Sequence, residues 1–279
     1  EEIGLSERNL TVLRKLIARP YGMILCVGPT GSGKTTTLHA VLGHINQPGV
    51  KIWTAEDPVE ITQPGLRQVQ VRHKIGLDFA RIMRGLLRLD PDIIMIGEMR
   101  DRETSAIALE AALTGHLVLS TLHTNNAPET LTRLLEMGMN ALNISDAFLG
   151  VLGQRLVRRL CPNCIESYHA SEEEFEELRT DYGRDAFDRA GYSYGAGFSL
   201  KRAVGCEKCN GTGFKGRIGI HELMEATTAV KILIKKNATS YELAQQAAQD
   251  GMTTLKQDGI RKTMDGITTI REVRRVCVE

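Results

Sequence analysis

The octapeptide GPTGSGKT, Gly28 to Thr35, limits what this chain can fold into more than any other stretch. It follows the apolar run Met23 to Val27 and precedes Thr36, Thr37 and Leu38. A strand, a glycine-rich loop and a helix start therefore meet in order, the context that makes such a loop a phosphate cradle. Gly28, Gly31 and Gly33 allow backbone angles and close approach that side chains forbid, so successive N–H groups can point at one anion. Lys34 adds a charge for the β and γ phosphates. Thr35 offers its hydroxyl to Mg²⁺, and the dipole of the helix starting there favours the anion further. The candidate nucleotide-binding residues are Gly28, Pro29, Thr30, Gly31, Ser32, Gly33, Lys34, Thr35 and Thr36. The competing reading is a tight turn that binds nothing.

Four apolar segments each end in polar residues: Met23 to Val27, Lys51 to Thr54, Ile93 to Ile96 and Leu117 to Leu119. Helical stretches separate several of them. That alternation predicts a parallel α/β sheet whose ligand lies beyond the carboxyl ends of the strands. Leu10, Leu13, Leu16 and Ile17 predict a leading helix after Ser6, and helices are expected from Pro128 to about Gly138 and around Ile144 to Leu160.

Two carboxylate groups would face that crevice. Glu56, Asp57 and Glu60, in AEDPVE, could hold Mg²⁺ through water or position the attacking water; a solvated turn is the alternative. In DPDIIMIGE, Gly97 stands where a strand of this kind often carries a metal-contacting Asp, and Glu98 is kept. Glu98 is the leading candidate to orient water.

Arg81, Arg84 and Arg88 fall on one helix face, either solvated or reaching a nucleotide in a neighbouring subunit. Arg100 is a weaker candidate of the same kind. His116 and His123 flank the fourth strand, about 20 Å apart if it is straight, so they cannot share a metal ion. His123 lies at the ligand-facing end, where it could sense the γ-phosphate as part of the catalytic set, and His116 at the far end reads as a structural histidine.

CPNC and CEKC supply Cys161, Cys164, Cys206 and Cys209, with 41 residues between the pairs. Each pair can form a knuckle giving two thiolates to a tetrahedral zinc, a closed site with a structural role. Cys26 and Cys277 read as ordinary thiols. Thr239 with Glu242 and Thr269 with Glu272 fit the capping-box pattern of a helical tail.

The 279 residues are 42% hydrophobic, enough for one full core and a smaller one. The expected domains are a core over 1–156, a four-cysteine subdomain over 157–222 and a helical subdomain over 223–279. Balanced charge, net +1, and 5% aromatics offer neither the basic stripe nor the stacking platform of a nucleic-acid motor. No apolar run approaches the roughly 20 residues that span a bilayer, so a soluble, cytoplasmic chain is expected. Residue 1 is Glu, so an upstream domain is expected to be missing.

Taken together, GPTGSGKTTTL, AEDPVE, RLDPDIIMIGEMRD, TGHLVLSTLHTN and the two cysteine knuckles resemble the secretion and pilus-assembly ATPases of type II secretion and type IV pilus systems. The resemblance covers nearly the whole chain. It implies a RecA-like core, ATP hydrolysis with Mg²⁺, Zn²⁺ at the cysteines, and a homo-hexameric ring acting on an inner-membrane platform protein at the cytoplasmic face. By it, Glu98 matches the catalytic glutamate, Glu60 a second active-site carboxylate, and Arg84 and Arg88 the arginines before that glutamate; TGHLVLSTLHTN, which ends near His123, matches the histidine box. Gly97 agrees with the family, and Met99 stands where Ile is more usual. The cysteine module, which pilus-retraction motors characteristically lack, leans the resemblance towards extension or secretion. A RecA-like nucleic-acid motor with a structural zinc is the alternative, and a nucleotide-gated scaffold a third reading that the retained Glu98 disfavours.

Overall fold

The computed structural model describes residues 3–195 and 197–277. Its residues divide into two compact units, one of residues 7–154 with 222–252, the other of residues 155–221 with 253–277 and the short stretch 3–6. The residues expected to form one helical subdomain, 223–279, are thus shared between the units.

The main sheet has seven strands: β1 (Gly22–Val27), β2 (Ile52–Glu56), β3 (Arg67–Gln70), β4 (Ile93–Ile96), β5 (Leu117–Leu122), β6 (Phe148–Leu160) and, last of the seven, the strand Phe214–Glu225. Their order is β3, β2, β4, β5, β1, β6, then Phe214–Glu225 at the edge. The pairs β1 with β5, β1 with β6, β2 with β3, β2 with β4 and β4 with β5 are all parallel. The carboxyl ends of β1, β2, β4 and β5 therefore lie on one side, which gathers the segments that follow them.

All four predicted strands are present. The expected helix over Ile144 to Leu160 is corrected: a short helix, Ala141–Ala147, ends there and β6 begins at Phe148. This strand is buried along most of its length, so its apolar run lacks the alternation that marks a half-exposed strand. Gly150 shows why it lies so close to its neighbours. A Cβ there would meet Leu16 Cδ1 at 2.6 Å and the Met224 carbonyl oxygen at 2.9 Å.

In the first unit, the helices are α1 (Glu7–Ile17), α2 (Lys34–Ile45), α3 (Phe79–Leu86), α4 (Arg102–Leu113), α5 (Ala127–Glu136), α6 (Ala141–Ala147), and two later ones, Thr228–Lys235 and Ser240–Gln249. Asp78, Asp101 and Asn126 cap α3, α4 and α5 by accepting from backbone N–H groups. Buried Leu25, Val27, Ile94, Ile96, Val118 and Leu122 join Met83 and Leu131 in one core.

In the second unit, β7 (Ile165–His169) pairs antiparallel with β8 (Ser199–Ala203), and α7 (Glu172–Tyr182) and α8 (Arg184–Arg189) lie between them in sequence. β9 is the edge strand Phe214–Glu225 already placed. With Thr228–Lys235 as α9 and Ser240–Gln249 as α10, the chain ends in α11 (Leu255–Met264) and α12 (Ile270–Val276). Phe175, Leu178, Tyr182, Phe187, Leu200 and Ile260 make a separate small core.

Thr239 and Glu242 form the expected capping box. Thr269 and Glu272 do not: Thr269 caps α12 without a side-chain hydrogen bond, and Glu272 is occupied by Arg158 and Arg275. A buried carboxylate gains more from two guanidinium partners than from one backbone N–H.

Candidate active site and cysteine cluster

The loop after β1 takes the glycine conformations that its sequence requires. Gly31 and Gly33 have φ of 78° and 87°, and Gly33 is the left-handed residue that starts α2. The Lys34 ammonium is buried over this loop and donates to the carbonyls of Gly28, at 2.8 Å, and Pro29, at 3.1 Å. The N–H groups of Gly31, Gly33 and Thr35 donate to no acceptor among the described residues. Unspent donors at a helix start beside a lysine form a site for an anion. Pro29, Thr30 and Thr36 are exposed and Thr35 is half-buried.

The ends of β4 and β5 assemble the acidic side of the site. Glu98 Oε1 lies 3.0 Å from His123 Nε2, and Arg100 Nε donates to Glu98 Oε2 at 2.8 Å. Glu98 is mostly buried while His123 and Arg100 are exposed. The hydrogen bond to Glu98 raises the Arg100 guanidinium above its ordinary value. Gly97 is held between strands, its N–H donating to the Ala55 carbonyl at 2.7 Å and its own carbonyl accepting from Thr121 Oγ1 at 2.6 Å. A carboxylate so placed can accept a proton or orient a water.

The other predicted residues scatter. Glu56 is buried and accepts from Thr54, at 2.6 Å, and Gln68, at 2.9 Å, with His39 Nε2 3.1 Å from its other oxygen. It holds β2 to α2 and is spent structurally. Asp57 lies 3.1 Å from His73, and Glu60 is exposed in the segment before β3. Arg84 pairs with Glu103 of α4, and Arg88 is exposed just past α3. Arg81 donates to the Gly76 carbonyl at 3.4 Å. His116 Nδ1 meets the Ala111 carbonyl at 3.0 Å, the structural role expected of it.

Cys161, Cys164, Cys206 and Cys209 come together with all four sulfurs within 4.8 Å of one another. The Sγ atoms lie 4.0 Å apart for Cys161 and Cys206, 3.8 Å for Cys164 and Cys209, and 3.7 Å for Cys206 and Cys209. Four sulfurs held about 2.3 Å from a zinc would stand about 3.8 Å apart, so the donor set fits that ion. Burial raises the Cys209 thiol, but the N–H groups of Cys206 and Gly213 and the neighbouring thiols outweigh it and bring Cys209 down to about 6. Burial pushes Cys164 up to about 11. Gly213 is required here: a Cβ would meet Ala203 Cβ at 2.5 Å. Among the described residues this is the one cluster suited to a metal. Cys26, buried in β1, is pushed up to about 12 by burial and is inert.

Two features are not evident from the motifs. Gln154 of β6 bonds the phosphate loop, and Glu222 of β9 accepts from the Ala127 N–H at 2.6 Å, closing the start of α5. Gln154 stands beside Arg155 and Glu222 beside His221, so neither is singled out by its local sequence.

Residues 1–275 match a family model described as type II/IV secretion system protein. The chain is 47% identical to the type IV pilus assembly ATPase PilB of Myxococcus xanthus over 272 residues, 98% of this chain and 46% of that protein. It is 44% identical to type II secretion system protein E of Pseudomonas aeruginosa over 279 residues, all of this chain and 53% of that one. The chain thus spans about half the length of these relatives. Among solved structures, the pilus retraction motor PilT with bound ADP superposes at a TM-score of 0.68 and 28% identity, covering 99% of this chain and 66% of that one.

Proposed function

The chain belongs to the type II/IV secretion system protein family, and from that premise we propose that it is the ATP-hydrolysing part of a motor for pilin or pseudopilin assembly, in type II secretion or type IV pilus extension. The observation that carries the reading is Glu98, mostly buried and held by His123 and Arg100 at the carboxyl ends of β4 and β5, of which β5 lies beside β1 and its phosphate loop. The loop N–H groups and Lys34 bind the phosphates, and Glu98 orients the attacking water. The Thr35 hydroxyl would hold Mg²⁺, which when bound neutralises charge on the phosphate oxygens. Glu60 is read as a second active-site carboxylate, and Arg84 and Arg88 as reaching a nucleotide held by a neighbouring copy.

The four cysteines hold Zn²⁺ as a closed structural site, with a fold around the nucleotide of RecA-like type. The working assembly in this reading is a homo-hexamer. It acts on an inner-membrane platform protein, peripheral to the cytoplasmic face. No helix among the described residues is long and apolar enough to cross a membrane, which fits a peripheral attachment. The cysteine cluster, together with relatives named for pilus assembly and type II secretion, favours extension or secretion over retraction.

Steady-state ATP turnover, measured against protein concentration with and without single-stranded DNA, tests this reading. Turnover per subunit that rises with concentration and ignores DNA is expected. Strong stimulation by DNA would favour a nucleic-acid motor instead.

A further inference from the structure

Gln154 is 3% exposed and reaches the phosphate loop from β6. Its Nε2 donates to the Ser32 carbonyl at 2.6 Å, and its Oε1 accepts from Thr37 Oγ1 at 2.7 Å. The Ser32 carbonyl can only accept, so the amide end of Gln154 must face it, and the Thr37 hydroxyl then donates to the oxygen end. Ser32 Oγ is buried without a hydrogen-bond partner, so its hydroxyl does not anchor the residue. A trans peptide is planar with its N–H opposite its C=O. Drawing the Ser32 carbonyl towards β6 therefore turns the Gly33 N–H the other way, and that N–H has no acceptor among the described residues. Glycine at 33, with φ of 87°, would otherwise let this peptide rotate freely.

We propose that Gln154 is a positioning residue for the phosphate loop: it locks the Ser32–Gly33 peptide so that the Gly33 N–H is presented to a phosphate, with Thr37 orienting its carboxamide. This rests on the reading of the loop as a nucleotide site. Gln154→Glu replaces the donor facing Ser32 by a second acceptor, and repulsion turns the peptide. Gln154→Leu removes the tether with little change of volume.

The test is binding of mant-ATP to the full chain by fluorescence anisotropy, with pyrophosphate and adenosine as competitors and the melting temperature without nucleotide as control. Gln154→Glu and Gln154→Leu are expected to weaken mant-ATP and pyrophosphate by about tenfold or more, while adenosine competes as before. Thr37→Val is expected to weaken mant-ATP less, and to add nothing in a Gln154→Leu background. Thr37→Ser, which keeps the hydroxyl, is expected to restore binding. Wild-type affinity in a folded Gln154→Leu protein would overturn the proposal, as would equal losses for adenosine and pyrophosphate. Wild-type protein that binds no mant-ATP would overturn the nucleotide reading itself, and this inference with it; wild-type binding with unaffected Gln154 variants would overturn this inference alone.

Discussion

His123 Nε2 lies 3.0 Å from Glu98 Oε1, so the residue after β5 fixes the carboxylate that follows β4. The two strands are hydrogen-bonded neighbours, with Ile96 paired to Ser120, and the Ser120 hydroxyl donates to the Ile96 carbonyl at 2.9 Å. The backbone beneath both side chains is therefore rigid, and the contact decides where the carboxylate points. His123→Ala is expected to lower kcat by about tenfold or more while leaving mant-ATP affinity within about twofold. Stopped-flow binding together with phosphate release separates the two quantities; an equal loss in binding would refute an orienting role.

Gly97 occupies a site where a side chain would be tight against the backbone of β2. An added Cβ would stand 3.3 Å from the Ala55 carbonyl oxygen and 3.5 Å from the Glu56 Cα, both backbone of β2. Introducing the aspartate that other nucleotide-binding strands carry is expected to force the strands apart. Gly97→Asp should destabilise the first unit by about 1–3 kcal/mol, read as a fall in melting temperature. An unchanged melting temperature would show that β2 yields easily.

At the cysteine cluster, thiolates are the ligand form, and metal binding there is folding energy for the segment around it. Cys161→Ser or Cys209→Ser is expected to lose bound zinc, measured by elemental analysis, and to open residues 161–213 to proteolysis. Intact protein should hold one zinc per chain, about one equivalent. Carefully purified protein without metal would remove the structural role.

Glu272 predicts how stability responds to acid. Burial would raise its carboxyl, but Arg158 and Arg275 outweigh this and hold it down to about 2, against an ordinary 4.5. Lowered in the folded state, it contributes stability that is fully present above about pH 4.5 and is lost as pH falls towards 2. Arg158 and Arg275 are about half exposed, so solvent screening cuts the linkage contribution to about 1–2 kcal/mol. Glu272→Gln should lower neutral-pH stability by roughly that amount and flatten the acid limb of a urea-unfolding series; an acid limb as steep as wild type would place the effect elsewhere.

The phosphate loop and the two cysteine pairs are legible in the sequence because they encode their geometry in local spacing: glycine conformations and knuckle turns are set within a few residues. β1, β2, β4 and β5 are legible because each is a short apolar run ending in a polar residue. β6 is not: a buried strand and a buried helix present the same continuous apolar run, and its glycines answer to α1 and β9, which are distant in sequence. The roles of Glu56 and Glu272 are hidden for a similar reason. Each is fixed by partners, His39 and Arg158, that only folding brings near. The division of the helical tail between two units follows from packing rather than from any break in composition.

The central claim is that Glu98 orients water for attack on a nucleotide bound at Gly28 to Thr36. Glu98→Gln keeps the shape of the side chain and can still meet His123 and Arg100, but it removes the negative charge. Nucleotide affinity and single-turnover hydrolysis, measured on the same variant, test the claim most directly. The account predicts wild-type affinity for ATP with hydrolysis reduced by about 10²-fold or more. Hydrolysis at the wild-type rate would contradict it.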